Sequence, residues 1–111
     1  MLKKVDMLEA QRYIQEEKLV FLYIGQPNCS VCHSLKPQID VLLEAYDDVI
    51  KLEIDALAAP EVAEAFSVLT VPVLLLFVEG REYLRKARII NTREFSADVA
   101  KIVRGYREMV R

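Results

Sequence analysis

Tryptophan is absent from the 111 residues, which hold only two cysteines, three glycines, four prolines and one histidine. Each scarcity removes a class of protein. Two cysteines are too few for a stapled secreted scaffold. So few glycines and prolines leave no room for a flexible linker or a low-complexity segment, and nothing recurs at a solenoid period. Long apolar runs are missing as well. The longest, Val71 to Val78, falls far short of the roughly 20 residues that cross a bilayer, so no membrane partner is expected. Met1-Leu2-Lys3-Lys4-Val5-Asp6 has lysines with no apolar stretch behind them. No signal peptide is expected there, and the cytoplasm is the expected location.

What is present suits one compact domain covering residues 1–111: 53% of residues are apolar and 29% charged. A net charge of −2 speaks against a general nucleic-acid binder. It also hides an asymmetry, because residues 81–111 carry nine Lys/Arg against four Asp/Glu, whereas residues 1–80 carry six against thirteen. The plain reading is solvated surface on the last strand and helix. The sharper one is a basic face that selects acidic partners.

Apolar spacing orders the elements. Asp6 with Glu9 is a cap pair opening a helix to about Lys18. Leu19 to Ile24 is nearly unbroken apolar sequence, as in a strand covered on both faces. A second helix begins near the cysteines, with the stripe Val31, Leu35, Ile39, Leu42, Leu43 and Tyr46, and a kink is expected at Pro37. Val49 to Ile54 reads as a strand, and Pro60 to Phe66 as a short helix. Val73 to Val78 and Arg81 to Ile90 read as an antiparallel hairpin turning at Glu79-Gly80. Asn91 and Glu94 cap a last helix with the stripe Phe95, Val99, Ile102, Val103, Tyr106 and Val110. The fold class is α/β: a central mixed sheet of four strands, with room for a short fifth in residues 2–5, flanked by helices on both faces. The crossover through the second helix implies parallel, right-handed pairing.

Cys29-Ser30-Val31-Cys32-His33 admits three chemistries: a redox dithiol, half of a metal site, or a haem-attachment signature. Haem attachment fits poorly without an export signal. Zinc wants four ligands, and one CxxC supplies two, with His33 an awkward third. As a dithiol the motif stands at the carboxyl end of a buried strand and the amino end of a helix, where ligands collect in open α/β sheets. The helix terminus stabilises a thiolate. Cys29 is then the exposed nucleophile, and Cys32, one turn further in, resolves the mixed disulfide.

With Cys29 and Cys32, Pro37 five residues later, and Thr70-Val71-Pro72 before a Leu-rich strand, the chain resembles the thioredoxin-like family over nearly its whole length. The resemblance implies a cis bond at Pro72 and a substrate strand paired to the backbone of Val71. It also matches Lys51 to a lysine near the active site and Gly80 to the hairpin glycine. Its implied function is thiol–disulfide oxidoreduction of protein or low-molecular-weight disulfides, with a recycling reductase as partner and no metal or organic cofactor. The alternative is a thioredoxin-shaped module that holds a peptide or thiol, with weak or vestigial redox activity.

The departures from the family bear on the same site. Asn28-Cys29-Ser30-Val31-Cys32 replaces Trp-Cys-Gly-Pro-Cys, and a potential somewhat less reducing than thioredoxin's about −270 mV is expected. Tyr23 stands where a buried aspartate helps deprotonate the second cysteine. A phenol with pKa about 10 is a poor base, which leaves a water, Lys51 or the substrate to take that role. Arg88 replaces a glycine beside the site, where it is expected to lower the thiolate pKa and favour acidic partners.

Overall fold

Leu19–Gly25 (β2) is buried at every position and forms the middle of a five-stranded sheet. The computed structural model describes residues 1–111. Around β2 the chain runs β1 (Lys3–Lys4), α1 (Met7–Glu16), β2, α2 (Ser30–Leu43), β3 (Ile50–Asp55), α3 (Val62–Ala65), β4 (Val73–Val78), β5 (Arg81–Ala87) and α4 (Thr92–Met109). Strand order is β1-β3-β2-β4-β5. The pairs of β3 with β1 and β2 are parallel, and those of β4 with β2 and β5 antiparallel. This is the mixed sheet expected from the apolar runs, with the short first strand included.

Alternation along β2 and β4 divides the core in two. Leu19, Phe21, Tyr23, Leu74 and Leu76 face one way, against Leu35, Ile39 and Leu43 of α2 and Phe95, Val99 and Val103 of α4. Val20, Leu22, Ile24, Val73, Leu75 and Phe77 face the other, against Ala10 and Ile14 of α1 and Val62 of α3. Phe21 and Phe95 tie the sheet to α4, with ring centroids 5.8 Å apart and planes tilted by 59°. α1 opens on a reciprocal cap. The Asp6 carboxylate accepts the Glu9 N–H at 2.8 Å, and the Glu9 carboxylate accepts the Asp6 N–H at 3.3 Å.

Three boundaries and one buried face differ from the sequence reading. α2 ends at Leu43, so Tyr46 packs on the core from the following turn rather than from the helix. Its buried stripe is Cys32, Leu35, Ile39 and Leu43; Val31, in the first turn, points to water and is 56% exposed. α3 is one turn, Val62–Ala65, with Pro60 in the preceding turn and Glu61 as N-cap. β5 stops at Ala87 because Arg88 has φ 65°, a left-handed conformation that cannot continue an extended strand. Pro37 lies inside α2 without ending it; its missing N–H leaves the His33 carbonyl without a helical partner.

Candidate active site

The site grows from the way β2 hands over to α2. Gly25 ends the strand, residues 26–28 turn, and Cys29 takes an extended conformation (φ −106°, ψ 107°) as the N-cap of α2. A helix start leaves backbone N–H groups without partners. Here the acceptor is sulfur: Cys29 Sγ receives the Cys32 N–H at 3.1 Å. The partial positive charge of the helix terminus stabilises negative charge on that same sulfur. Cys29 and Cys32 form a disulfide with Cα atoms 5.2 Å apart, within the span such a bond bridges. The two sulfurs differ in surroundings. Cys29 is partly buried, whereas Cys32 is only 5% exposed and begins the buried stripe of α2.

Beneath Cys32 lies Tyr23, whose hydroxyl donates to the Cys32 carbonyl at 3.0 Å. Burial, with the nearby Glu53 carboxylate adding to it, pushes the phenol up to about 12. Tyr23 is therefore a hydrogen-bond donor at neutral pH. Gly25 is the other close neighbour. A Cβ there would come within 2.8 Å of Tyr23 Cε1 and 3.3 Å of Cys32 Sγ, so the strand can pass this closely only without a side chain.

Beside Cys32 a pocket of about 200 Å³ opens, lined by Tyr23, Gly25, His33, Lys36, Glu53 and Asp55, with Lys4 and the Gln26-Pro27 turn at its edge. Lys36 Nζ from α2 is 2.6 Å from Glu53 Oε2 on β3. His33 Nε2 lies 2.6 Å from the Pro27 carbonyl oxygen, so that nitrogen carries a hydrogen and donates it, pinning the ring to the cysteine loop.

The other residues singled out in the sequence fall at different distances from this centre. The Val71–Pro72 peptide bond is cis, with Pro72 buried and Val71 half-buried. Ile24 pairs with Val73, so Pro72 comes level with Gly25 at the end of β2. Val71 lines a shallow cleft of about 150 Å³ with Pro60, Ala63, Leu69, Thr70 and Gln26, and Gln26 also borders the pocket beside Cys32. Val73 pairs with Ala87, which sets the exposed Arg88 level with Pro72 at the same end of the sheet. Lys51 is not brought to the pocket. It pairs in register with Phe21, one alternation short of Tyr23, and its charge acts on Asp48. Among the nine C-terminal cations, Arg85 pairs with Glu82, Lys86 with Glu94 and Asp98, and Arg107 with Asp48, and of these acids only Asp48 lies outside residues 81–111.

Three residues of the site escape the sequence reading, and spacing holds a signal for two. Glu53 lies two residues beyond Lys51 on the same strand face, and Lys36 lies one helical turn after Cys32. Nothing local marks Gly25 as the close approach.

The thioredoxin family model matches residues 3–103. The chain belongs to the thioredoxin family. Among curated relatives, Thioredoxin-like protein YdfQ of Bacillus subtilis (strain 168) is 37% identical over 101 residues, covering 91% of this chain and 90% of that protein. Solved thioredoxins share the fold at lower identity. The thioredoxin of Trypanosoma brucei brucei has a TM-score of 0.80 at 18% identity, covering 94% of this chain and 92% of that one. A mutant thioredoxin from Halobacterium salinarum has a TM-score of 0.75 at 22% identity, covering 86% of this chain and 84% of that one. A thioredoxin-family chain with a Cys29–Cys32 pair is a thiol–disulfide oxidoreductase.

Proposed function

We propose that this chain, acting as a single domain in the cytoplasm, reduces disulfides of proteins or low-molecular-weight thiols. The observation that carries the reading is the Cys29 sulfur accepting the Cys32 N–H at the start of α2, beside a resolving sulfur that is buried. Reduced Cys29, as thiolate, attacks one sulfur of the substrate disulfide and expels the other as a thiolate. Cys32 loses its proton and attacks Cys29 Sγ. The bond between Cys29 and the substrate breaks, and the second substrate sulfur leaves as a thiolate that takes up a proton. Two electrons pass to the substrate, and a reductase returns them to the Cys29–Cys32 disulfide.

The backbone of Val71 receives an extended substrate segment, and Pro72 holds that edge against the cysteine loop. Arg88, level with Pro72, adds a cation that favours the Cys29 thiolate and acidic partners.

Equilibration in dithiothreitol and glutathione buffers of graded potential, with free thiols counted by alkylation and mass, tests this reading. A reversible two-electron transition between Cys29 and Cys32 is expected. A protein that forms no disulfide anywhere in the range is a binding module instead.

A further inference from the structure

Resolution requires the Cys32 thiol to lose a proton while the residue is only 5% exposed. Burial disfavours a thiolate, so a proton acceptor has to face this sulfur. Tyr23 cannot serve, because its O–H already donates to the Cys32 carbonyl and its phenol is pushed up to about 12. Lys51 lies outside the pocket. His33 donates from Nε2 to the Pro27 carbonyl and is an exposed residue, open to solvent rather than buried with the sulfur.

Two carboxylates line the pocket beside Cys32, those of Glu53 and Asp55. Asp55 Oδ1 accepts the Leu57 N–H at 2.8 Å and closes the turn after β3. Glu53 has no such backbone duty. It pairs in register with Tyr23 on β2 and with Lys4 on β1, so it stands on the floor of the pocket between them. Its side chain is 13% exposed and is held by Lys36 at 2.6 Å. Lys36 is one turn after Cys32, so the same helix face presents the thiol and the cation that fixes the carboxylate. The polar space of about 200 Å³ among these groups has room for water to relay a proton.

We propose that Glu53 is the proton acceptor for Cys32, and that Lys36 positions the Glu53 carboxylate. The proposal rests on the disulfide-exchange reading above. In the mixed disulfide, the Cys32 proton crosses the pocket to Glu53. The Cys32 sulfur then bonds to Cys29 Sγ as the bond from Cys29 to the substrate breaks. The departing substrate thiolate is protonated from solvent, to which Glu53 returns its proton. Lys4, Lys36, His33, Asp55 and Tyr23 are the charged or titratable groups facing the carboxylate, from β1, α2, β3 and β2. Of these, Lys36 makes the direct ion pair.

Reduced protein mixed with one equivalent of dithiobis(nitrobenzoate) separates the steps by stopped-flow absorbance. The first thionitrobenzoate released reports attack by Cys29, and the second reports resolution by Cys32. Glu53→Gln should leave the first phase unchanged and slow the second about ten- to hundredfold near neutral pH. The Glu53→Gln second phase should instead rise with pH as Cys32 itself ionises, and Glu53→Asp should restore part of the rate. Lys36→Met should leave the first phase unchanged and slow the second, because the cation that holds the carboxylate in the pocket is gone. A Glu53→Gln second phase with the wild-type rate and profile overturns the assignment, and a second phase that Lys36→Met leaves unchanged overturns the positioning role of Lys36. Wild-type protein that releases only the first equivalent overturns the exchange reading itself, a result separable from either variant's.

Discussion

The two ends of β2 are built from equally buried apolar strands, yet one is closed and the other is reactive. At the Leu19 end the Glu79 N–H donates to the Lys18 carbonyl at 2.8 Å, and the Tyr106 hydroxyl donates to the Glu79 carboxylate at 2.8 Å. Glu79 and Gly80, with φ of 49° and 84°, make the tight turn that satisfies this edge locally. At the Gly25 end the chain crosses over into a helix, whose first N–H groups need an acceptor. Cys29 supplies it, and Cys32, Glu53, Lys36, Pro72 and Arg88 gather at the same end of the sheet. The difference lies in the connection, not in the strands. A hairpin uses up its own polar groups, whereas a crossover leaves a terminus that can work on something else.

The largest expected effect belongs to neither end. Phe21→Ala removes a fully buried ring that packs on Phe95, and should cost about 3–5 kcal/mol in denaturant unfolding while the redox midpoint stays put. A shifted midpoint would show that the core and the reactive end are not separable. Next, Gly25→Ala forces a methyl against Tyr23 and the Cys32 sulfur, and should cost about 1–3 kcal/mol. Here the midpoint should move along with stability; a variant altered in neither would mean the close approach is not needed. Arg88→Gly relieves a left-handed conformation and should stabilise the protein by about 1 kcal/mol. The same change should raise the Cys29 pKa, measured by alkylation rate against pH, and an unchanged pKa would remove Arg88 from the site.

The smallest effect is a pH dependence. The Tyr23 phenol is raised in the fold from 10.0 to about 12, so the folded state favours its neutral form. That stabilisation is complete below pH 10 and drains away as pH rises toward about 12. Tyr23→Phe should flatten this part of the stability profile relative to wild type. Identical slopes would indicate that the phenol does not feel its burial.

The elements of the reactive end are largely legible in the sequence because their signals are local. An unbroken apolar run marks β2 and β4, an Asp-x-x-Glu pair marks the start of α1, and the cysteine spacing marks the first turn of α2. Elements that the sequence misplaces depend on something beyond a few residues. Arg81 to Ile90 looks strand-like throughout, but Arg88 turns left-handed where the sheet ends. Val31 fits a helical stripe by type, yet the stripe that meets the core runs through Cys32, Leu35, Ile39 and Leu43, which leaves Val31 on the face toward water. Lys51 is the charged neighbour of the dithiol by resemblance, but register sets it level with Phe21 and sets Glu53 level with Tyr23.

By itself, then, the sequence determined the α/β order, the apolar core and the pair of sulfurs at the start of α2, since periodicity and helix capping act within a few residues. Only the tertiary structure decided which groups share the pocket with Cys32. That depends on how β3 slides against β2 and how α2 crosses both, and a parallel register is set by packing across the sheet between residues far apart in the chain. Glu53 and Lys36 meet for that reason, 17 positions apart in sequence and 2.6 Å apart in space.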